Sequence, residues 1–147
     1  MNAAELGFSD MLLASQSIKE IPFLRELKGG EPIAAPATGW LNLVHVDDAT
    51  EVVDATAMLP PFNDGPRVYC VSDGQPVERG QYYSEVARQI GAAPPQFTAP
   101  ELGSPRAARA EANRRVSNAR MVADLRVNLT YPDYRAGLAS AVETQNQ

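Results

Sequence analysis

The stretch LNLVHVDD, at positions 41–48, places the only histidine of the chain, His45, close to two acids, Asp47 and Asp48. An imidazole and a carboxylate within hydrogen-bonding distance can act together as a general base, and both residue types bind metals. Asp48 and Glu51 also have the D-x-x-E spacing of a capping box, in which two side chains bind backbone amides at a helix start. The stretch is therefore either a reactive site or the point where a strand becomes a helix.

The rest of the sequence favours the structural interpretation. Cys70 is the only cysteine, so neither an internal disulfide nor a cysteine-based zinc site can form within one chain. The Gly-x-Ser-x-Gly elbow of serine hydrolases does not occur. We therefore expect Asp47 and Asp48 to cap a helix, and we assign neither a catalytic nor a metal-binding residue. A small independent enzyme that uses His45 with an acid stays as a weaker alternative.

Length and charge restrict the class of protein further. A chain of 147 residues has the length of one domain, and its formal net charge of −5 argues against nonspecific attraction to nucleic acid or anionic lipid. No apolar run approaches the ~20 residues that span a bilayer. A lone cysteine suits a reducing compartment. We expect a cytoplasmic protein without nucleic-acid or membrane partners.

Arginines are concentrated in one stretch near the end of the chain. They are Arg106, Arg109, Arg114, Arg115 and Arg120. Such a stretch forms either a local anion-binding face or a solvated loop and helix start, and composition alone favours the second.

Hydrophobic periodicity and turn residues predict helices with a few strands, an α/β fold of an α+β-like kind. The predicted helices span residues 22–28, 48–59 and 77–90, then run from a Ser117 N-cap to Leu125 and from near Tyr131 onwards. The predicted strands span 41–46 and 67–72, with a possible short edge strand at 96–98. Residues 1–20 show only a weak helical pattern, 21–142 are expected to form a single domain, and 143–147 are a polar tail.

A nucleotide cofactor needs sequence features that this chain lacks. Neither Gly-x-Gly-x-x-Gly nor Gly-x-x-Gly-x-x-Gly occurs, so no glycine-rich turn is available to admit a pyrophosphate. No tyrosine is followed four residues later by a lysine, because both lysines, Lys19 and Lys28, precede every tyrosine. We therefore expect no cofactor to bind this chain alone.

Three stretches, in the order in which they occur, resemble one protein family. They are EPIAAPATGWLNLVHVDDATEVV, VYCVSDGQPVERGQYYSEVARQIG and NRRVSNARMVADLRVNLTYPDYRAGL. They are similar to the C-terminal half of NAD(P)-dependent epimerase/dehydratase proteins, the extended or atypical short-chain dehydrogenase/reductase group. In such proteins an N-terminal Rossmann domain carries the glycine-rich loop and a Tyr-x-x-x-Lys pair, and the C-terminal part closes over the substrate. The resemblance implies that this sequence lacks the Rossmann half.

The function implied by the resemblance is that of a substrate-binding portion, not catalytic alone, which would bind NAD(P) only when completed by a Rossmann half. The substrate would be a sugar or another small hydroxylated molecule. The side chains nearest to it would be His45, Asn113, Arg115 and Asn118, although each is equally suited to a structural hydrogen bond. Two positions depart from the family pattern. Leu41 replaces an arginine that is common in nucleotide-sugar enzymes, which argues against such substrates, and Glu78 replaces a threonine at a helix start.

The resemblance also bears on association. The predicted strand VYCVS, residues 68–72, would belong to a sheet whose other strands this sequence does not supply. An unpaired apolar strand edge favours pairing with another chain. We therefore expect a homodimer or a complex with a separate Rossmann-type chain, and the alternative function is a noncatalytic dimerising or interaction module derived from the same family.

Overall fold

A computed structural model describes residues 11–14, 21–60, 67–104, 107 and 113–143. The helices of this part are α1 (Leu24–Gly29), α2 (Val46–Ala57), α3 (Arg79–Ile90), α4 (Ala119–Leu125) and α5 (Tyr134–Glu143). Its strands are β1 (Met11–Ala14), β2 (Ile33–Ala34), β3 (Trp40–His45), β4 (Val77–Glu78) and β5 (Phe97–Thr98). Helices with a few short strands confirm the predicted α/β class.

The longest strand, β3, lies at the centre of a three-stranded mixed sheet. β1 runs parallel to it, with Met11 opposite Asn42, and β4 runs antiparallel to it, with Leu41 opposite Val77. β2 and β5 form a separate parallel pair, so the edge strand predicted around Phe97 is confirmed. The helix suggested by the weak pattern near the N-terminus is wrong over β1, where the chain forms a strand.

Side chains of β3 enter two apolar clusters because successive residues of a strand point to opposite faces. Leu41 and Leu43 pack with α1, α3 and α5, and Val44 packs on the other face with α2 and α4. The first cluster also contains Leu24, Leu27, Ile33, Tyr82, Tyr83, Val86, Tyr134 and Leu138, and the second contains Ala49, Val52, Tyr69, Val71, Met121 and Val127. None of the helices in the described ranges is long and apolar enough to cross a membrane.

The helix ends agree with the glycine signals in the sequence. Gly30 (φ 69°) follows α1 and Gly91 (φ 70°) follows α3, and the N–H of each donates to carbonyl oxygens of the preceding turn. A positive φ costs glycine little, whereas a Cβ would clash in that conformation. Both helices therefore end where the sequence predicts.

The helix starts agree less well. α1 begins at Leu24 rather than at Pro22, because Phe23 takes a left-handed conformation (φ 59°). α5 begins at Tyr134 rather than near residue 131, because the Oδ1 atom of Asp133 accepts two backbone N–H groups of the first turn, at 2.8 and 3.0 Å. The buried residues of α5 are Tyr134, Leu138 and Ala141, whose spacing places them on one face of the helix. Glu143, which was expected in the polar tail, ends this helix, and 144–147 lie outside the described residues.

The strand predicted at 67–72 is not formed. Tyr69 and Val71 are buried while Val68 and Cys70 are exposed, which is the alternation of an extended chain. No other described residue, however, forms a backbone hydrogen bond with residues 68–71. Only Asp73, beyond this segment, donates its N–H to the Leu43 carbonyl, at 2.6 Å. The β-branched and aromatic residues of this segment favour an extended backbone. A β-strand also requires backbone hydrogen bonds to a second strand, which composition does not predict.

We expect Glu78→Thr to stabilise the protein. Glu78 is the N-cap of α3 in an extended conformation (φ −68°, ψ 141°), and its side chain makes no capping hydrogen bond. A threonine hydroxyl can accept a first-turn N–H, which is worth roughly 0.5–1 kcal/mol in the free energy of unfolding. Urea denaturation measures this gain. Glu78→Gln is the matched control, since it removes the charge without supplying a short capping oxygen, and an equal gain in both variants would contradict the capping explanation.

Candidate functional site

The start of α2 is capped by His45, not by the acids that follow it. The imidazole Nδ1 of His45 accepts the N–H of Asp47 at 3.3 Å, and His45 itself has the extended backbone of an N-cap residue. The capping roles predicted for Asp47 and Asp48 are therefore wrong, because the helix begins at Val46, before either acid. Both acids lie in the first turn, where a negative charge interacts favourably with the helix dipole.

Asp48 instead connects two distant parts of the chain. Its carboxylate is 1 % exposed and accepts the N–H groups of Thr130 (2.7 Å) and Tyr131 (3.0 Å). The Tyr131 ring lies on the His45 ring, with centroids 3.7 Å apart and planes at 31°. His45 is consequently 2 % exposed, and its Nε2 atom is buried without a hydrogen-bond partner among the described residues. This arrangement encloses His45 rather than presenting it to a ligand.

Asn42 anchors the arginine-rich segment on the opposite face of β3. Its amide Nδ2 donates to the Arg114 carbonyl at 3.0 Å, and its Oδ1 accepts the Val116 N–H at 2.9 Å. The side-chain amide thus binds the segment in the way that a neighbouring strand would. Sequence reasoning missed Asn42, although a polar residue within an apolar strand is a usable signal, because a buried amide must find hydrogen-bond partners.

The anchored segment presents Arg115 on an aromatic surface. The Arg115 guanidinium lies 4.9 Å from the centroid of the Trp40 ring, in a cation–π arrangement, and the side chain is exposed. No acidic side chain within the described ranges forms an ion pair with it. Asn113, at the start of the segment, is also exposed. Arg115 is therefore a held but unneutralised cation, which suits an anionic or hydroxylated ligand.

Asn118 locks a tight turn rather than facing solvent. Its Nδ2 donates to the Ser72 carbonyl at 2.9 Å, and its amide lies against Gly74. Ser117 was predicted as the N-cap of α4, which is wrong by one residue, because Asn118 takes that position. The Ser117 Oγ still accepts the Ala119 N–H at 3.3 Å.

The four predicted substrate-binding residues do not converge. Arg115 and Asn113 belong to the segment on the Asn42 face of β3, and Asn118 binds the turn at Ser72. His45 points to the opposite face, towards Tyr131. Arg106 and Arg109 lie outside the described residues. The surface formed by the half-buried Trp40 and by residues 113–116, which we call the Trp40 surface, is therefore the candidate functional site.

Asp73 is a buried acid that sequence reasoning missed, because it lies among the turn-forming residues SDGQP (72–76) and matches no motif. The carboxyl is 7 % exposed, its Oδ1 accepts the Gln75 N–H at 2.8 Å, and its Oδ2 has no partner among the described residues. Burial raises the pKa of Asp73 from 3.8 to about 6, the Gln75 hydrogen bond opposes this, and the charge of Asp133 adds to it. Such a shift is common at functional sites.

A groove of about 630 Å³ also lies between α3 and the start of α5. It contains none of the predicted substrate-binding residues and is lined by Thr38, Glu78, Gln81, Glu85, Arg88 and Arg135, among others. Two of its charges already neutralise each other, because Arg88 binds both Glu85 oxygens at 2.6 and 2.9 Å. Among the described residues, no three His, Cys, Asp or Glu side chains gather to hold a metal ion. We therefore do not place the site in this groove.

Comparison with solved structures relates the fold to known proteins. A conserved protein of unknown function from Silicibacter pomeroyi is 28 % identical, with a TM-score of 0.63 over 74 % of this chain and 39 % of that chain. MoeE5, solved with UDP-glucose and NAD, is 21 % identical, with a TM-score of 0.62 over 83 % and 39 %. UDP-glucose 4-epimerase from Thermotoga maritima is 19 % identical, with a TM-score of 0.63 over 84 % and 38 %.

The fold is thus that of part of the NAD-dependent epimerase/dehydratase structures. The chain spans less than two fifths of the length of these solved chains. No protein-family model and no curated protein matches the sequence.

Gly74→Ala is expected to disrupt the turn that Asn118 locks. A Cβ at Gly74 would lie 2.7–2.9 Å from the Asn118 amide atoms, and the φ of +77° is itself unfavourable for alanine by about 1–2 kcal/mol. Gly103→Ala is the matched control, since Gly103 has a φ of +76° but nothing within 4 Å of its Cβ position. Thermal unfolding should show a larger loss of stability for Gly74→Ala than for the control. Equal losses would mean that the Asn118 contact is unimportant.

Asp73→Asn should stabilise the protein in a pH-dependent way. The unfolded chain releases the Asp73 proton near 3.8 and the folded chain near 6, so ionisation favours the unfolded chain between these values. The variant keeps the acceptor for the Gln75 N–H but has no charge to bury. Relative to wild type, its free energy of unfolding should be similar below about pH 4, rise between pH 4 and 6, and stay at the higher level above pH 6. Urea denaturation across this range measures the difference, and a constant difference would contradict the burial explanation.

Proposed function

We propose that this chain forms the substrate-binding part of an NAD(P)-dependent epimerase/dehydratase-like protein and that it is not catalytic alone. The likeness in fold to MoeE5 and to UDP-glucose 4-epimerase supports this proposal. The observation that carries it is the Trp40 surface, where the Asn42 amide fixes a segment that presents an exposed arginine, Arg115, with no acidic partner among the described residues. Preorganised donors of this kind bind a ligand at a low cost in conformational entropy.

The cofactor in this proposal is bound by a Rossmann-type part and not by the residues described above. A dinucleotide pyrophosphate binds at a helix N-terminus that follows a strand through a glycine-rich turn. The two helices that directly follow strands are α2, whose first turn carries Asp47 and Asp48, and α3, whose N-cap is Glu78. Negative charge at these positions repels a pyrophosphate, so neither junction fits NAD(P).

The substrate in this proposal is a sugar or another small hydroxylated molecule. Arg115 offers donors to hydroxyl or carboxylate oxygens, and the Trp40 ring offers an apolar face. Leu41 stands where nucleotide-sugar enzymes of the family commonly have arginine, and it is buried with Leu43 and Val77. The position therefore supplies packing instead of a charge for a diphosphate, which supports a substrate without a nucleotide.

The second candidate is a noncatalytic dimerising or interaction module. The observation that favours it is the extended segment 68–71, whose backbone groups have no partner among the described residues. The two candidates differ in an observable way, since only the first requires a small ligand at the Trp40 surface.

Ligand binding can be measured through Trp40, because it is the only tryptophan of the chain. We expect glucuronate or a related free sugar acid to change the Trp40 fluorescence of the full chain, and NAD or NADP to leave it unchanged. Calorimetry with each cofactor provides an independent measurement. Clear binding of NAD or NADP by this chain alone would contradict the proposed division of roles.

Arg115→Met should weaken that binding on the order of tenfold, since a hydrogen bond from a charged group is worth about 1.5–3 kcal/mol. The variant keeps an apolar side chain to cover Trp40 but has no guanidinium. Arg120→Met is the matched control, because Arg120 is an exposed arginine of the same stretch, in α4. If no sugar, sugar acid or UDP-linked sugar binds, the substrate-binding role fails and the interaction module is the better reading.

A further inference from the structure

The segment Val68–Val71 is extended and has no strand paired with it among the described residues. Tyr69 and Val71 are buried in the second apolar cluster, while Val68 is 59 % exposed and Cys70 is exposed. Both ends are fixed, since the Tyr69 hydroxyl binds Asp124 at 3.1 Å and the Ser72 carbonyl accepts from Asn118 at 2.9 Å. The backbone groups between these ends make no hydrogen bond with any other described residue. The segment is thus fixed in the extended conformation that pairing with another strand requires.

The outward side chains do nothing to prevent such pairing. Proteins usually protect a free strand edge with lysine, proline or a bulge. Val68 and Cys70 are uncharged, and no proline interrupts residues 67–75. An edge of this kind is expected to associate with another strand.

We propose that Val68–Val71 pairs antiparallel with the same segment of a second copy, across a two-fold axis at Cys70. A second copy fits because each copy brings the same extended segment, which pairs with no other described residue, and a single two-fold axis lets the two segments pair with each other. This inference rests on the second candidate function, the dimerising module, and names its partner; in the first candidate a Rossmann-type chain would compete for the same edge.

The alternation of side chains restricts the register. In an antiparallel pair, directly opposite residues lie on the same face, so a buried residue must oppose a buried one. Placing the axis at Cys70 sets Tyr69 opposite the second copy's Val71 and brings Cys70 to its own equivalent. Placing the axis at Tyr69 also keeps residues of the same face opposite each other, but it sets Arg67 of one copy opposite Val71 of the other.

Charge favours the axis at Cys70. In that register Arg67 of one copy comes to the Asp73 end of the other, and opposite charges across a strand pair are favourable. Asp73 Oδ2 is the buried oxygen without a partner among the described residues. Within each copy, Arg67 binds Asp124 at 3.1 Å.

Cys70 makes this register testable, because it is the only cysteine of the chain. Any disulfide-linked dimer therefore joins Cys70 to Cys70. We expect the full chain to sediment as a dimer in reducing buffer, and diamide, which takes up the two thiol hydrogens, to convert it to a covalent dimer. Cys70→Ser should remain a dimer and lose only the cross-link.

Charge swaps at the axis give the decisive result. Cys70→Lys and Cys70→Glu each place like charges against each other, so each variant alone should dimerise more weakly, by on the order of tenfold or more. An equal mixture of the two should recover the dimer. Met58→Lys is the control for adding a lysine at an exposed apolar position, since Met58 is 87 % exposed. Circular dichroism checks that all variants keep the fold.

Two outcomes would overturn the proposal. The first is a wild-type chain that stays monomeric throughout a dilution series, which would leave the edge to a separate Rossmann-type chain. The second is a dimer that Cys70→Lys does not weaken or that the mixture does not restore, because another surface would then join the copies.

Discussion

The buried carboxylate of Asp48 holds together parts of the chain that are far apart in sequence. A charge that is 1 % exposed is tolerated only when hydrogen bonds compensate for its lost hydration, and here two backbone amides, those of Thr130 and Tyr131, do so. These bonds fix the turn that leads into α5 at the point where β3 becomes α2. The position of α5 against the Leu43 face of β3, and that of the Tyr131 ring over His45, both follow from this contact.

Long-range contacts also explain which predictions from the sequence failed. The helices α3 and α5 could be predicted because their buried residues recur at helical spacing and because Gly91 marks an end, both local signals. Asp48 matched the local pattern of a cap, but its partners lie 82 and 83 residues away, and no local pattern encodes them. The segment 67–72 has the composition and alternation of a strand, yet a strand forms only when a second segment lies beside it and shares its backbone hydrogen bonds.

The candidate site was predictable to a similar extent. Resemblance identified Arg115 and Asn118, and both are held by definite contacts, one over an aromatic ring and one in a tight turn. It could not reveal that Asn42 and His45 serve opposite faces of β3, because that depends on which face each neighbouring segment covers. Structures with the same fold bind nucleotide sugars, but a shared fold at low identity does not carry over a binding site.

The cap at the start of α2 has a consequence for the chemistry of His45. Because Nδ1 accepts the Asp47 N–H, the lone pair of this nitrogen is used by the first turn of the helix. A general base needs a free lone pair on an accessible ring nitrogen, and here Nδ1 is occupied while Nε2 is buried. To accept a proton from a substrate, His45 would have to release the first turn of its own helix. The imidazole of the only histidine of the chain thus serves as a structural acceptor for the backbone.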